Sequence, residues 1–133
     1  MSDIIDYKAI KIEMTDDSPK VILDEGGSIF KIEGSSYPED AFEFYKQVIN
    51  WVSKIKINKK TILNCDFNFN ILSSASHKMI YAILLELENL NKKSKNVIIN
   101  WYYLNFDEDM YEVGEGFSDN INIPFKFFPI QTS

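Results

Sequence analysis

The 133 residues predict an α/β fold: a single domain in which a mixed β-sheet is packed with helices. Three observations carry this. Short stretches of period two alternate with longer stretches of helical period, a hairpin signal lies near the start, and the later strands are separated by spacers long enough for crossover helices. A hydrophobic content of 45% with 14% aromatics supplies a packed interior, and the length suits one core rather than two. The single domain is expected to span residues 1–133, with its core at about 20–130, and no repeat or low-complexity tract interrupts it.

Tyr7 to Met14 alternates apolar and polar residues as a half-buried strand does, and Thr15-Asp16-Asp17-Ser18-Pro19 supplies a turn. Val21-Ile22-Leu23 and Ile29-Phe30-Lys31-Ile32 flank Gly26-Gly27, whose glycines tolerate the positive φ of a hairpin turn. Ser36-Tyr37-Pro38-Glu39 has the Ser-x-x-Glu spacing of a capping box, followed by Phe42, Tyr45, Val48, Ile49 and Val52 at helical intervals. This predicts a first helix over about 37–55.

Thr61 to Phe69 sets Leu63, Cys65, Phe67 and Phe69 against Asn64, Asp66 and Asn68, a period of two that predicts a central strand. From Ser76 the residues Met79, Ile80, Ile83, Leu84, Leu87 and Leu90 keep helical spacing, and Lys92, Lys93 and Lys95 suit a helix C-terminus. Val97 to Tyr103 is β-branched and aromatic, Asn105 to Glu115 opens with an acidic first turn, and Ile121 to Phe128 reads as a last strand whose Pro124 favours a sheet edge. The predicted order is β, β, β, α, β, α, β, α, β.

A net charge of −6 repels phosphate backbones and anionic lipid, so neither nucleic acid nor membrane is an expected partner. The single cysteine cannot form an intramolecular disulfide, and neither a signal pattern nor an apolar run of about 18 residues is present, which places the chain in the cytoplasm. Cys65 shares a strand face with Leu63 and Phe67 and reads as packing. His77, the sole histidine, lacks the second ligand of a metal site and the partner of a base–nucleophile pair. The acidic run at Asp107-Glu108-Asp109 lacks the spacing of a calcium loop, and Gly114-x-Gly116 fits no phosphate-binding loop, so no metal or cofactor is expected.

The feature richest in chemistry is Ser73-Ser74-Ala75-Ser76-His77-Lys78, where hydroxyls stand between an apolar strand and a long helix. Such hydroxyls cap helices, and a phosphate on one of them would meet the N–H groups and positive dipole end of the helix. Spacing alone leaves both readings open. A phosphate would add nearly two negative charges and three acceptor oxygens, enough to abolish one protein interface and permit another.

Gly34-Ser35-Ser36-Tyr37-Pro38-Glu39-Asp40, the helix carrying Tyr45 and Val48-Ile49-Asn50-Trp51-Val52, the serine cluster, Trp101-Tyr102-Tyr103 and the Asp107-Glu108-Asp109-Met110 stretch together resemble the SiaC family of bacterial regulatory phosphoproteins. The resemblance implies a fold similar to STAS domains, the anti-sigma-factor antagonists, and a non-enzymatic role in partner switching. It implies phosphorylation by a serine/threonine protein kinase, reversal by a metal-dependent protein phosphatase, and binding of the unphosphorylated form to an effector. In the characterised circuit that effector is a diguanylate cyclase, activated to raise cyclic di-GMP and promote biofilm formation. Aligned through Lys78, the family's acceptor threonine falls on Ser74, with Ser73 and Ser76 as the alternatives, and Tyr37, His77, Lys78 and Met79 are the candidate partner contacts. The competing readings are an adaptor of the same kind with a different effector, and a small hydrolase or transferase using Cys65 or a serine with His77, for which no orienting third group is visible.

Overall fold

A computed structural model describes residues 9–24, 29–55, 61–94 and 96–131. The chain runs β1 (Ile10–Ile12), β2 (Lys20–Asp24), β3 (Ile29–Ser36), α1 (Ala41–Lys54), β4 (Leu63–Leu72), α2 (Ser74–Ser94), β5 (Val97–Leu104), α3 (Glu108–Asn120) and β6 (Phe125–Ile130). This is the predicted order. The hairpin turn at Gly26-Gly27, Tyr7 at the start of the first predicted strand and Lys95 lie outside the described residues.

The six strands form one mixed sheet in the sequential order β1-β2-β3-β4-β5-β6. β1 and β2, and β2 and β3, pair antiparallel, while β3 through β6 pair in parallel. Three successive parallel crossovers carry α1, α2 and α3, which pack on one face of the sheet. That face carries Phe30, Ile32, Leu63, Cys65, Phe67, Ile99 and Trp101, all essentially buried. The opposite face carries Lys31, Glu33, Asn64, Asp66, Asn68 and Tyr102, which are half-buried or exposed. Parallel strands covered on both sides read as unbroken apolar runs. The period of two along β4 therefore already signals a sheet with one open face.

The core turns on Phe67. Its ring lies 5.9 Å from Trp101, stacked at 26°, and 5.5 Å from Phe30. Trp101 donates its indole N–H to the Met110 carbonyl at 3.0 Å, and an added Cβ on Gly114 would come within 2.5 Å of the indole ring. Gly114 is thus the position where α3 lies directly on the sheet, which is why this glycine stands inside a helix rather than ending it. β6 is an edge strand, as Pro124 indicated, and begins later than expected because Ile121 and Ile123 are buried in the approach to it.

The start of α1 departs from the expected one. Ser36 does not cap it: the residue is the last of β3 and fully buried, and the helix begins at Ala41. Asp40 is the N-cap, accepting a hydrogen bond from the Glu43 N–H at 3.0 Å. Asp40-x-x-Glu43 carries the same spacing as Ser36-x-x-Glu39, and the inward direction of Ser36 at the end of β3 decides between them.

Candidate functional site

β4 runs three residues further than predicted, and the extension is built by a β-bulge. Gly34 pairs with Phe69, but Ser35 pairs with Ile71, leaving Asn70 as the additional residue. One extra residue reverses which face the strand presents. Ile71 consequently lies half-exposed, while Leu72 packs toward the core beside Ser36. Gly34 sits at φ 126°, a backbone that glycine alone adopts without strain, and an added Cβ would come within 2.9 Å of the Met14 methyl.

The serine cluster follows, and its members have separate fates. The Ser73 N–H donates to the Ser36 carbonyl at 2.9 Å, continuing the strand pairing one step. The Ser73 carbonyl accepts from the His77 N–H at 2.8 Å and its hydroxyl accepts from the Ser76 N–H at 3.1 Å, which makes Ser73 the N-cap of α2. Ser76 is fully buried. Its oxygen accepts from the Ser36 hydroxyl at 2.8 Å, and the Ser36 oxygen lies 2.6 Å from the Tyr45 hydroxyl. Because the Ser36 proton is given to Ser76, the phenol of Tyr45 is the donor in the second bond. Burial raises the Tyr45 pKa well above the ordinary phenol value, outweighing the opposite pull of its hydrogen bonds to Ser36 and Ser76, so the phenol keeps its proton. Strand β3, α1 and α2 are tied together by three hydroxyls.

Ser74 alone of the three serines is exposed, in the first turn of α2. His77 and Lys78 are exposed one turn on, at the i+3 and i+4 positions that share its helix face, and with Leu72 and Ser74 they line a recess of about 260 Å³. Tyr37 is 45% exposed and emerges from β3 next to Ser73, its N–H held by the Asp17 carbonyl at 2.8 Å. Met79 is half-buried and packs on the core, so it is less exposed than the other three.

His77 and Cys65 are not brought together. Cys65 is fully buried in β4, and burial pushes its thiol pKa up, which suppresses the thiolate a nucleophile needs. The His77 ring instead rests against Phe117 of α3, with centroids 4.6 Å apart. The acidic run belongs to the start of α3, where Asp107 caps the helix by accepting from the Met110 N–H at 3.0 Å. Among the described residues, no group of three or more His, Cys, Asp or Glu side chains is placed to hold a metal ion, and no helix is long and apolar enough to cross a membrane.

One element near the site was not legible in the sequence. Between α2 and α3 runs a groove of about 540 Å³, walled by His77, Lys78, Tyr81, Val113 and Phe117. Its α3 wall lies some forty residues downstream, and only the fold brings it beside Ser74.

Residues 12–130 match the family described as SiaC family regulatory phosphoprotein. An uncharacterized protein of Pseudomonas aeruginosa (strain UCBPP-PA14) is 28% identical over 116 residues, covering 87% of this chain and 92% of the relative. The crystal structure of apo-SiaC from Pseudomonas aeruginosa superposes with a TM-score of 0.81 at 26% identity, covering 92% of this chain and 99% of the other. The matching chain in the crystal structure of the diguanylate cyclase SiaD in complex with its activator SiaC, also from Pseudomonas aeruginosa, gives a TM-score of 0.83 at 27% identity, over 91% of this chain and 99% of that one.

Proposed function

The chain belongs to the SiaC family of regulatory phosphoproteins, and from that premise we propose that it is a phosphorylation-controlled partner switch whose acceptor is Ser74. The observation that carries the assignment is the exposed Ser74 hydroxyl at the head of α2, flanked by a serine engaged as the cap and a serine sealed in the core. A kinase reaches Ser74 without unfolding anything, whereas Ser73 would forfeit a cap and Ser76 would have to leave the interior. The family is one of regulators rather than enzymes.

The effector of the unphosphorylated form is a diguanylate cyclase, a reading supported by the similarity to a SiaC chain solved in complex with the cyclase it activates. A serine/threonine kinase writes the mark and a metal-dependent phosphatase removes it. The kinase and the cyclase draw on nucleoside triphosphates, which places the circuit in the cytoplasm. Tyr37, His77 and Lys78 surround the acceptor and supply the contacts that a phosphate would disturb, with Met79 contributing its exposed part.

Peptide mass spectrometry on protein from its native cell tests the acceptor, and affinity capture with Ser74→Ala tests the switch. Phosphate on Ser74, together with retention of a cyclase by Ser74→Ala and its loss on phosphorylation, is the expected result. Phosphate confined to another residue, or partner binding indifferent to the Ser74 substitutions, overturns the assignment. Ser74→Asp carries less weight than Ser74→Ala, since one carboxylate supplies about half the charge of a phosphate.

A further inference from the structure

The face of the sheet turned away from the helices holds a small polar recess of about 190 Å³, lined by Lys31 and Glu33 of β3, Asp66 and Asn68 of β4, and Tyr102 of β5. Strand register builds it. Lys31 pairs with Asp66 and Glu33 with Asn68 across β3 and β4, and Asn68 in turn pairs with Tyr102. Two neighbours set the geometry from outside. The nearly buried Asn100 amide donates to Asp66 at 2.8 Å and to Asn64 at 3.2 Å, which holds the Asp66 carboxylate in place and occupies only one of its oxygens. Phe128 of β6 stacks on Tyr102, with centroids 5.0 Å apart and planes 22° from parallel. Asn68 and Phe128 flank Tyr102 on opposite sides in the sheet, so the ring face that Phe128 leaves uncovered is turned toward β4 and the recess.

The lining carries two carboxylates against one ammonium. Lys31 stands 3.9 Å from Glu33, too far for a hydrogen bond, and both side chains are partly open to solvent, so this pair leaves the Glu33 carboxylate available. Partial burial and the charge of Asp66 both raise the Tyr102 pKa, so the phenol stays neutral beside the carboxylates. An excess of negative charge next to an open aromatic face selects a cation. The recess is smaller than the ~300–1,000 Å³ of pockets that enclose whole ligands, and suits the head of a side chain.

We infer that this recess seats the guanidinium of an arginine presented by a partner protein. A guanidinium is planar and weakly hydrated, so it stacks on the free face of Tyr102 while its N–H groups reach the second oxygen of Asp66 and the Glu33 carboxylate. An ammonium lacks the plane for the first contact and the fork for the second. The partner is not a second copy, because the 14 lysine and arginine positions of this chain are all lysine. One half-open contact of this kind binds weakly by itself and takes effect as an anchor within a larger interface. The recess lies across the sheet from α1, α2 and α3, so an arginine seated there leaves the head of α2 uncovered, and the site holds whether or not Ser74 is the acceptor.

Heteronuclear NMR titration of the full chain with acetyl-Gly-Arg-Gly-amide, and with its lysine counterpart, tests the site. The arginine peptide is expected to bind with millimolar affinity, to concentrate its shifts at Lys31, Glu33, Asp66, Asn68 and Tyr102, and to outbind the lysine peptide about threefold. Tyr102→Leu, which keeps an apolar side chain against Phe128 but removes the aromatic face, should weaken binding about fivefold. Glu33→Gln should weaken it about twofold, whereas Lys31→Gln, which removes the competing ammonium, should strengthen it by a similar factor. Glu86→Gln, the same change of charge on α2, should do neither. The three charge variants decide the matter if Tyr102→Leu fails to fold. Absent or scattered shifts, equal binding of the two peptides, a folded Tyr102→Leu that binds like wild type, Lys31→Gln binding no better than wild type, or a Glu86→Gln effect equal to that of Glu33→Gln overturns the site. Free L-arginine binding a hundredfold tighter than the capped peptide would give the recess to a small molecule and overturn the assignment to a partner protein.

Discussion

The heads of α1 and α3 carry carboxylates where the head of α2 carries hydroxyls. Asp40 caps α1 with Glu43 in its first turn, and Asp107 caps α3 with Glu108 and Asp109 behind it. α2 is capped by the Ser73 hydroxyl and has no acidic residue in its first turn. Two of these helix dipoles are thus compensated by side-chain carboxylates, while the third is met by a neutral hydroxyl. Of these three heads, that of α2 therefore has the most to gain from an added negative charge.

The largest effect is expected beneath α2. Ser36→Ala removes the acceptor for Tyr45 and the donor to Ser76 at once, and urea unfolding should show a loss of about 1–3 kcal/mol, more than Tyr45→Phe, which leaves the Ser36–Ser76 bond in place. Equal losses in the two variants would mean that α2 is not anchored through Ser36. The same pair gives a pH signature. The Tyr45 pKa is raised above its unfolded value of 10.0, so the fold favours the protonated phenol. Its contribution is fully present below about pH 10 and is lost as pH rises through the folded value, so wild-type stability should fall more steeply than that of Tyr45→Phe above pH 10.

The caps come next. Ser73→Ala and Asp40→Ala are each expected to cost about 1 kcal/mol, but the Asp40 contribution should shrink in high salt while that of Ser73 does not, because only the carboxylate interacts with the dipole as a charge. Identical salt dependence would erase the distinction between the two heads. The smallest effect sharpens it most: Ala75→Glu, which gives the first turn of α2 the acid it lacks, should stabilise the unphosphorylated protein by about 0.3–1 kcal/mol and diminish the stabilisation gained on phosphorylating Ser74, as read by thermal unfolding.

The order and type of every element were legible because each has a period that local sequence displays, β4 and α2 most clearly. What failed was the direction of Ser36. Its spacing to Glu39 satisfies a capping rule, yet its hydroxyl is committed to Tyr45 and to Ser76, the latter forty residues away, and no local pattern records that. The same bonds hid the difference between Ser74 and Ser76, since the burial of a residue on α2 depends on what lies beneath it. The extension of β4 to Leu72 escaped for a related reason: a bulge at Asn70 breaks the period that marks a strand. The serine cluster itself was visible as a site, but the groove beside it required α3 to be placed in space.

The strictly sequential order of the sheet bears on how the molecule is made. Each new strand joins the outer edge of those already paired, and none must be threaded between two others. A chain emerging from the ribosome with its N-terminus first can therefore grow the sheet strand by strand. Ser36, Tyr45 and Ser76 are all synthesised before α3, so the hydroxyl lock can close and set the head of α2 while the chain is still being extended. The exposed hydroxyl of Ser74 is then in place before the second wall of the groove exists.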